Sequence, residues 1–228
     1  MKSQFKKILV VAAHPDDETL GCGATIAKKI TDGAEVWFLI LGQGLNARGK
    51  HSENAFEELE SNAKKAAKIL GAKKLVMRKF PDNSFDSVAL LEIIKEIEKI
   101  INEFEPDVVF THSNTDRNLD HQLTCEAVKT ACRPIKGSSV KLVLSFEVPS
   151  STEWSFDKRN IFSPNYFVNV NETINKKLEA MSAYKDELRA FPHPRSLEYI
   201  EALSKVRGGQ CGYNAAEAFE LIYQKSDE

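Results

Sequence analysis

An apolar run of strand length, Ile8-Leu9-Val10-Val11-Ala12-Ala13, breaks directly into His14-Pro15-Asp16-Asp17-Glu18. Behind it, Thr19-Leu20-Gly21-Cys22-Gly23 leads into a helical pattern of small and apolar residues (Ala24, Ile26, Ala27, Ile30). Val and Ile favour strand, and an unbroken apolar run reads as a strand buried on both faces, as in a parallel sheet. Pro15 fits a turn or a first helical turn, where a missing N–H costs little. The three acids then fall near a helix N-terminus, whose dipole and free N–H groups favour negative charge. One acid as cap and two solvated in the first turn would account for the carboxylates. That does not account for a histidine directly ahead of three mutually repelling acids, which points to a bound metal ion.

The remaining chain alternates strand and helix patterns. Strands are predicted at 35–41, 75–77, 108–111, 140–148 and 167–170. Helices are predicted over about 52–70, 88–104, 121–132, 172–188 and 196–206, with a last helix over 215–223. Residues 149–170 read as loop, added strand or substrate lid. Such alternation implies an α/β chain with a mostly parallel sheet and helices on both faces, a three-layer sandwich. One domain over 1–228 suffices for 228 residues.

Lys and Arg total 31 against 33 Asp and Glu, so no bulk attraction to nucleic acid or anionic membrane is expected. No apolar run approaches bilayer length, and the basic start Met1–Lys7 leads into too short an apolar stretch for a signal peptide. No membrane insertion and a cytoplasmic location are the expectations. Cys22, Cys125, Cys132 and Cys211 show no C-x-x-C pairing and read as buried free thiols.

Ligands of such sheets bind outside the carboxyl ends of the strands, where three polar loops emerge, at 14–18, 42–49 and 112–121. That topology can unite His14, Asp17 and His121. Two imidazoles and a carboxylate suit Zn²⁺ with an open position for water, and they also suit Fe²⁺. Asp16, beside a ligand, is the natural general base for an acidified water. Asp120 reads either as orienting an imidazole or as a helix N-cap. Glu18 reads as support for the loop. Arg48, in a loop after a strand, could hold a phosphate or sugar hydroxyl. His193 and Arg195 stand in a proline-stiffened loop that could line the site, and Trp154 could stack on a sugar.

The His-Pro-Asp-Asp-Glu run at 14–18 and the Asp-His pair at 120–121 resemble the PIG-L/LmbE-like zinc N-deacetylases. The likeness extends to Phe80-Pro81-Asp82-Asn83, Asn118-Leu119-Asp120-His121, Thr130-Ala131-Cys132-Arg133-Pro134 and Pro192-His193-Pro194-Arg195-Ser196, which look like a bacterial branch linked to surface-polysaccharide and sugar biosynthesis. The resemblance implies a Rossmann-like fold and removal of acetyl from a small N-acetylglucosamine-type sugar substrate. It makes His14, Asp17 and His121 the metal ligands and Asp16 the base. The family commonly has a histidine three residues before the last ligand, assisting the tetrahedral intermediate or the leaving amine. Asn118 stands there instead, able to donate a hydrogen bond to an oxyanion but not a proton. Asp16 would then carry the proton onward, or His193 or His112 would supply it.

Rival readings are a nucleotide-binding module built on Gly21-Cys22-Gly23, an Fe²⁺-dependent oxygenase, and a deacetylase of another aminosugar conjugate, such as a malate-linked one in thiol biosynthesis. Acids in the turn where a pyrophosphate needs bare backbone weigh against the first. A homo-oligomer is left open.

Overall fold

The computed structural model describes residues 5–44 and 55–226. A seven-stranded sheet is built from β1 (Lys7–Ala12), β2 (Glu35–Gly42), β3 (Lys74–Phe80), β4 (Val108–His112), β5 (Leu142–Phe146), β6 (Tyr166–Asn169) and β7 (Ala216–Gln224). Its order is β3-β2-β1-β4-β5-β7-β6. β1 to β5 pair in parallel, while β7 runs antiparallel to both β5 and β6.

The helices are α1 (Asp17–Thr31), α2 (Ala55–Leu70), α3 (Leu90–Phe104), α4 (Leu119–Ala131), α5 (Ile174–Met181) and α6 (Leu197–Gly209). Along β1, Ile8, Val10 and Ala12 face a core shared with α1, α2 and α5. Leu9, Val11 and Ala13 face a second core, shared with α3 and α4. This division explains why β1 reads as continuously apolar: neither of its faces meets water.

The expected last helix over 215–223 is instead strand β7. Ala, Glu and Leu favour helix, but this segment has partners on both sides: Phe219 lies opposite Phe146 of β5 and Tyr166 of β6. Ladder pairing and burial override local propensity here. The helix expected over 172–188 ends at Met181, and the following turns bury Tyr184 completely.

Gly21-Cys22-Gly23 has a packing explanation. Helix α1 breaks at Cys22 (φ −145°), and a Cβ at Gly21 would fall 2.2 Å from Phe146 Cδ2. The glycine lets α1 lie directly on β5. Beyond the break, Glu217 accepts the freed Ala24 and Thr25 N–H groups at 3.2 and 2.6 Å, and Lys177 Nζ donates to Glu217 at 2.6 Å.

The chain leaves β1 towards β2 on one side, while β4 pairs with β1 on the other. Above their carboxyl ends lies the switch point where open α/β sheets bind ligands. Among the described residues, no helix is long and apolar enough to cross a membrane.

Candidate active site

His14 to Asp17 form the turn from β1 into α1, and Asp16 at its apex is strained. Its φ of 103° is rare for a residue with a Cβ, and such strain is characteristic of functional sites. Local bonds hold the apex. The Asp16 N–H donates to Glu18 Oε2 at 3.1 Å, and Glu18 Oε1 accepts from Thr19 Oγ1 at 2.7 Å and Tyr184 Oη at 2.8 Å. Asp17 Oδ2 accepts the His14 N–H at 2.9 Å.

His121 arrives from α4, more than a hundred residues away in sequence. Its Nε2 lies 3.2 Å from Asp17 Oδ2, and His14 Nδ1 lies 3.4 Å from the same oxygen. One atom from each of His14, Asp17 and His121 can be chosen so that all lie within 4.8 Å of one another. Donors around tetrahedral Zn²⁺ at about 2.0–2.2 Å stand about 3.3 Å apart, close to these spacings. The second oxygen of that carboxylate, Asp17 Oδ1, is buried without a hydrogen-bond partner among the described residues. Burial disfavours the His121 imidazolium, yet Asp17 and Asp116 outweigh it and raise its pKa to about 10. For His14 the Asp120 and Asp17 carboxylates likewise overcome burial, raising the pKa to about 9. The cluster thus draws in positive charge, and the residues fit a divalent cation.

The far side of the His14 ring faces other carboxylates. Nε2 lies 2.9 Å from Asp120 Oδ2 and 3.1 Å from Asp82 Oδ1. Asp120 Oδ1 accepts the Phe85 N–H at 3.0 Å, so Asp120 is held in place while it orients His14. Asp120 is not the helix cap. That position belongs to Asn118, two residues earlier than expected, whose Oδ1 accepts the Asp120 N–H at 2.8 Å.

A cleft of about 120 Å³ opens over the cluster, bordered by His14, Asp16, Asp82, Asn118, His121 and Arg195. Within it, Arg195 Nη1 lies 2.9 Å from Asp16 Oδ2, and Arg195 Nε donates to Ser150 Oγ at 2.9 Å. Burial pushes the Asp16 carboxyl well above the usual carboxylate range, and the Arg195 guanidinium works against that shift. Burial works against ionisation of Asp17 too, but the charge and hydrogen bond of His121 hold its carboxyl well below the ordinary range.

The other expected contacts divide. Arg48 lies outside the described residues. His193 is absent from the described lining of the cleft, and its ring meets Trp154 edge-on at 5.8 Å. His112 is fully buried, and its Nε2 accepts the Ala13 N–H at 2.8 Å, which places its proton on Nδ1. Burial and the neighbouring His121 push its pKa well below that of a free imidazole. His112 is a neutral wall behind His121, their rings stacked at 4.0 Å, and not a proton donor.

Sequence reasoning assigned no role to Asp82, Asp116 or Glu187. Phe80-Pro81-Asp82-Asn83 is visible as a turn after a strand and as a motif of the family resemblance, but neither signal gives Asp82 a role. Glu187, 3.0 Å from Arg195 Nη1, follows a helix with nothing to mark it.

Comparison with known proteins gives a consistent picture. Residues 9–132 match the family described as PIG-L: GlcNAc-PI de-N-acetylase. An uncharacterized deacetylase, YaiS, of Escherichia coli K12 is 30% identical over 186 residues, 79% of this chain and 91% of the relative. Diacetylchitobiose deacetylase of Thermococcus kodakarensis is 27% identical over 231 residues, covering 96% of this chain and 84% of that one. Among solved structures, N,N'-diacetylchitobiose deacetylase from Pyrococcus horikoshii superposes with a TM-score of 0.79 at 19% identity, over 96% of this chain and 85% of its own.

Proposed function

The chain belongs to the PIG-L family of deacetylases, and we propose that it hydrolyses the N-acetyl group of an N-acetylglucosamine-type sugar or sugar conjugate. The observation that carries this reading is the clustering of His14, Asp17 and His121, whose two imidazoles border the same cleft as the buried carboxylate Asp16.

His14, Asp17 and His121 would hold the metal. A divalent cation there, zinc being the best match to the donor set, supplies Lewis acidity to the acetamide carbonyl and to water. Asp16 accepts the proton of the attacking water. Its burial makes it a stronger base than an exposed carboxylate, and Arg195 opposes that rise and aims the carboxylate. Asn118 has its Oδ1 committed to the Asp120 N–H, which turns Nδ2 outward, where it donates to Asn83 Oδ1 at 3.1 Å. The second hydrogen of that amide would donate to the oxyanion. With His112 neutral and His193 turned to Trp154, Asp16 is the group that returns the proton to the departing amine. Arg195 contacts protein carboxylates and serves the base before any substrate group. Acetate and a free amine are the products.

Acetate release by zinc-loaded protein tests this directly. Free, lipid-linked, glycosidic and nucleotide-linked N-acetylglucosamine form the panel. Release from at least one class, abolished by chelation and restored by zinc, is expected; no release from any of them under metal-replete conditions overturns the reading.

A further inference from the structure

The β4–α4 loop carries a carboxylate that the proposed chemistry leaves unused. Asp116 is 1% exposed, and its Oδ1 lies 3.1 Å from His121 Nδ1, the ring nitrogen turned away from Asp17. Three further contacts surround it. Oδ1 accepts the Asn118 N–H at 2.8 Å and the Ser151 hydroxyl, while Oδ2 accepts the Thr152 hydroxyl at 2.6 Å. Thr152 Oγ1 in turn accepts the Val148 N–H at 2.7 Å. The turn made by residues 148–152 carries Ser150 and Ser151 on the border of the cleft, and Ser150 Oγ receives Arg195 Nε.

We propose that Asp116 is a positioning residue that fixes the His121 ring for the metal and ties it to the cleft-lining turn at 148–152. A carboxylate on the outer nitrogen of a metal-binding imidazole sets the ring's tautomer and orientation and raises its basicity. Here the same carboxylate is gripped by two hydroxyls from the turn. The ligand and the substrate-facing wall therefore form one hydrogen-bonded unit, with Asn118 joined to it through its backbone. Movement of the turn would displace Asp116 and loosen the His121 ring.

The inference rests on the reading of His121 as a metal ligand, and zinc affinity separates the two. The full chain, freed of metal, is titrated with zinc against a chromophoric chelator. Wild-type protein that fails to bind zinc overturns the metal reading itself. If wild type binds, Asp116→Asn is expected to bind about 10–100-fold more weakly; equal affinity overturns the role of Asp116. Asp107→Asn is the control for general destabilisation. Asp107 accepts the Lys6 and Lys7 N–H groups at 2.7 and 2.9 Å beside the start of β4, and its loss should lower the melting temperature but leave zinc affinity unchanged. A matching loss of affinity in that control would make the Asp116 effect merely structural and overturn the proposal. The double variant Ser151→Ala/Thr152→Val keeps the carboxylate and removes both hydroxyls. Severalfold weaker zinc binding in it supports the link to the turn, and affinity equal to wild type overturns that link. This variant also carries the test if Asp116→Asn does not fold.

Discussion

Arg195 Nη1 lies between two carboxylates, 2.9 Å from Asp16 Oδ2 and 3.0 Å from Glu187 Oε2, so the proposed base shares its cation with a second buried acid. Burial raises the Asp16 pKa and Arg195 opposes the rise. Removing the guanidinium with Arg195→Gln raises that pKa further. Since Asp16 must be ionised to accept a proton, the acid limb of kcat/KM against pH is expected to move to higher pH, with at least about tenfold loss at neutral pH. A pH profile whose acid limb stays in place would separate Arg195 from the base.

Asp16→Asn keeps the side-chain shape and tolerates the positive φ better than other residues with a Cβ. It removes the proton acceptor alone. Turnover should fall by about 10²–10⁴-fold while zinc stoichiometry by metal analysis stays at the wild-type value. Wild-type turnover in this variant would take the base role from Asp16.

Metal binding should be visible as stability. A ligand at a hundred times its Kd that binds only the folded chain stabilises by about 2.7 kcal/mol. At about 2–4 °C per kcal/mol for a chain of this size, zinc should raise the Tm by about 5–10 °C. His121→Ala removes one of the three proposed metal donors, and in that variant the zinc-induced rise should largely disappear in a thermal melt.

Gly21→Ala places a methyl 2.2 Å from Phe146 Cδ2, inside the core between α1 and β5. The ring is fully buried and cannot swing clear, so a loss of about 1–3 kcal/mol is expected in denaturant unfolding. Adding Phe146→Leu should recover part of it, a coupling that a double-mutant cycle measures.

Tyr184→Phe deletes the hydroxyl that donates to Glu18 Oε1 at 2.8 Å. Burial already pushes the Glu18 carboxyl upward, and Thr19 and Tyr184 are the side chains that oppose it. A buried acceptor left short of a donor costs about 1–3 kcal/mol. Because Glu18 Oε2 holds the strained Asp16 N–H, turnover should fall together with stability; a variant as active and as stable as wild type would show that the clamp is dispensable.

The site residues closest to β1 were legible because the chemistry there is local. His14, Asp16 and Asp17 are consecutive or nearly so, and no soluble turn needs a histidine and three acids. Asn118 and His121 were legible as a polar loop after a strand. Strand β7 was not, since Ala, Glu and Leu favour helix and only the open edge of β5 makes the segment extended. The cap of α4 was misplaced by two residues because Asn118 and Asp120 are equally good caps in isolation. His14 claims Asp120 only once Nε2 comes within 2.9 Å of it.

By itself the sequence determined the parallel α/β framework and the two loops that carry ligand-type side chains. Hydrophobic period and residue chemistry are properties of neighbours along the chain. Only the tertiary structure decided which nitrogen of each imidazole faces Asp17, that Asp116 and Asp120 stand behind His121 and His14, and that Arg195 pairs with Asp16. Those relationships join residues up to 179 positions apart, brought together where β1 and β4 meet, and their direction is set by contacts of about 3 Å that no spacing in a linear chain encodes.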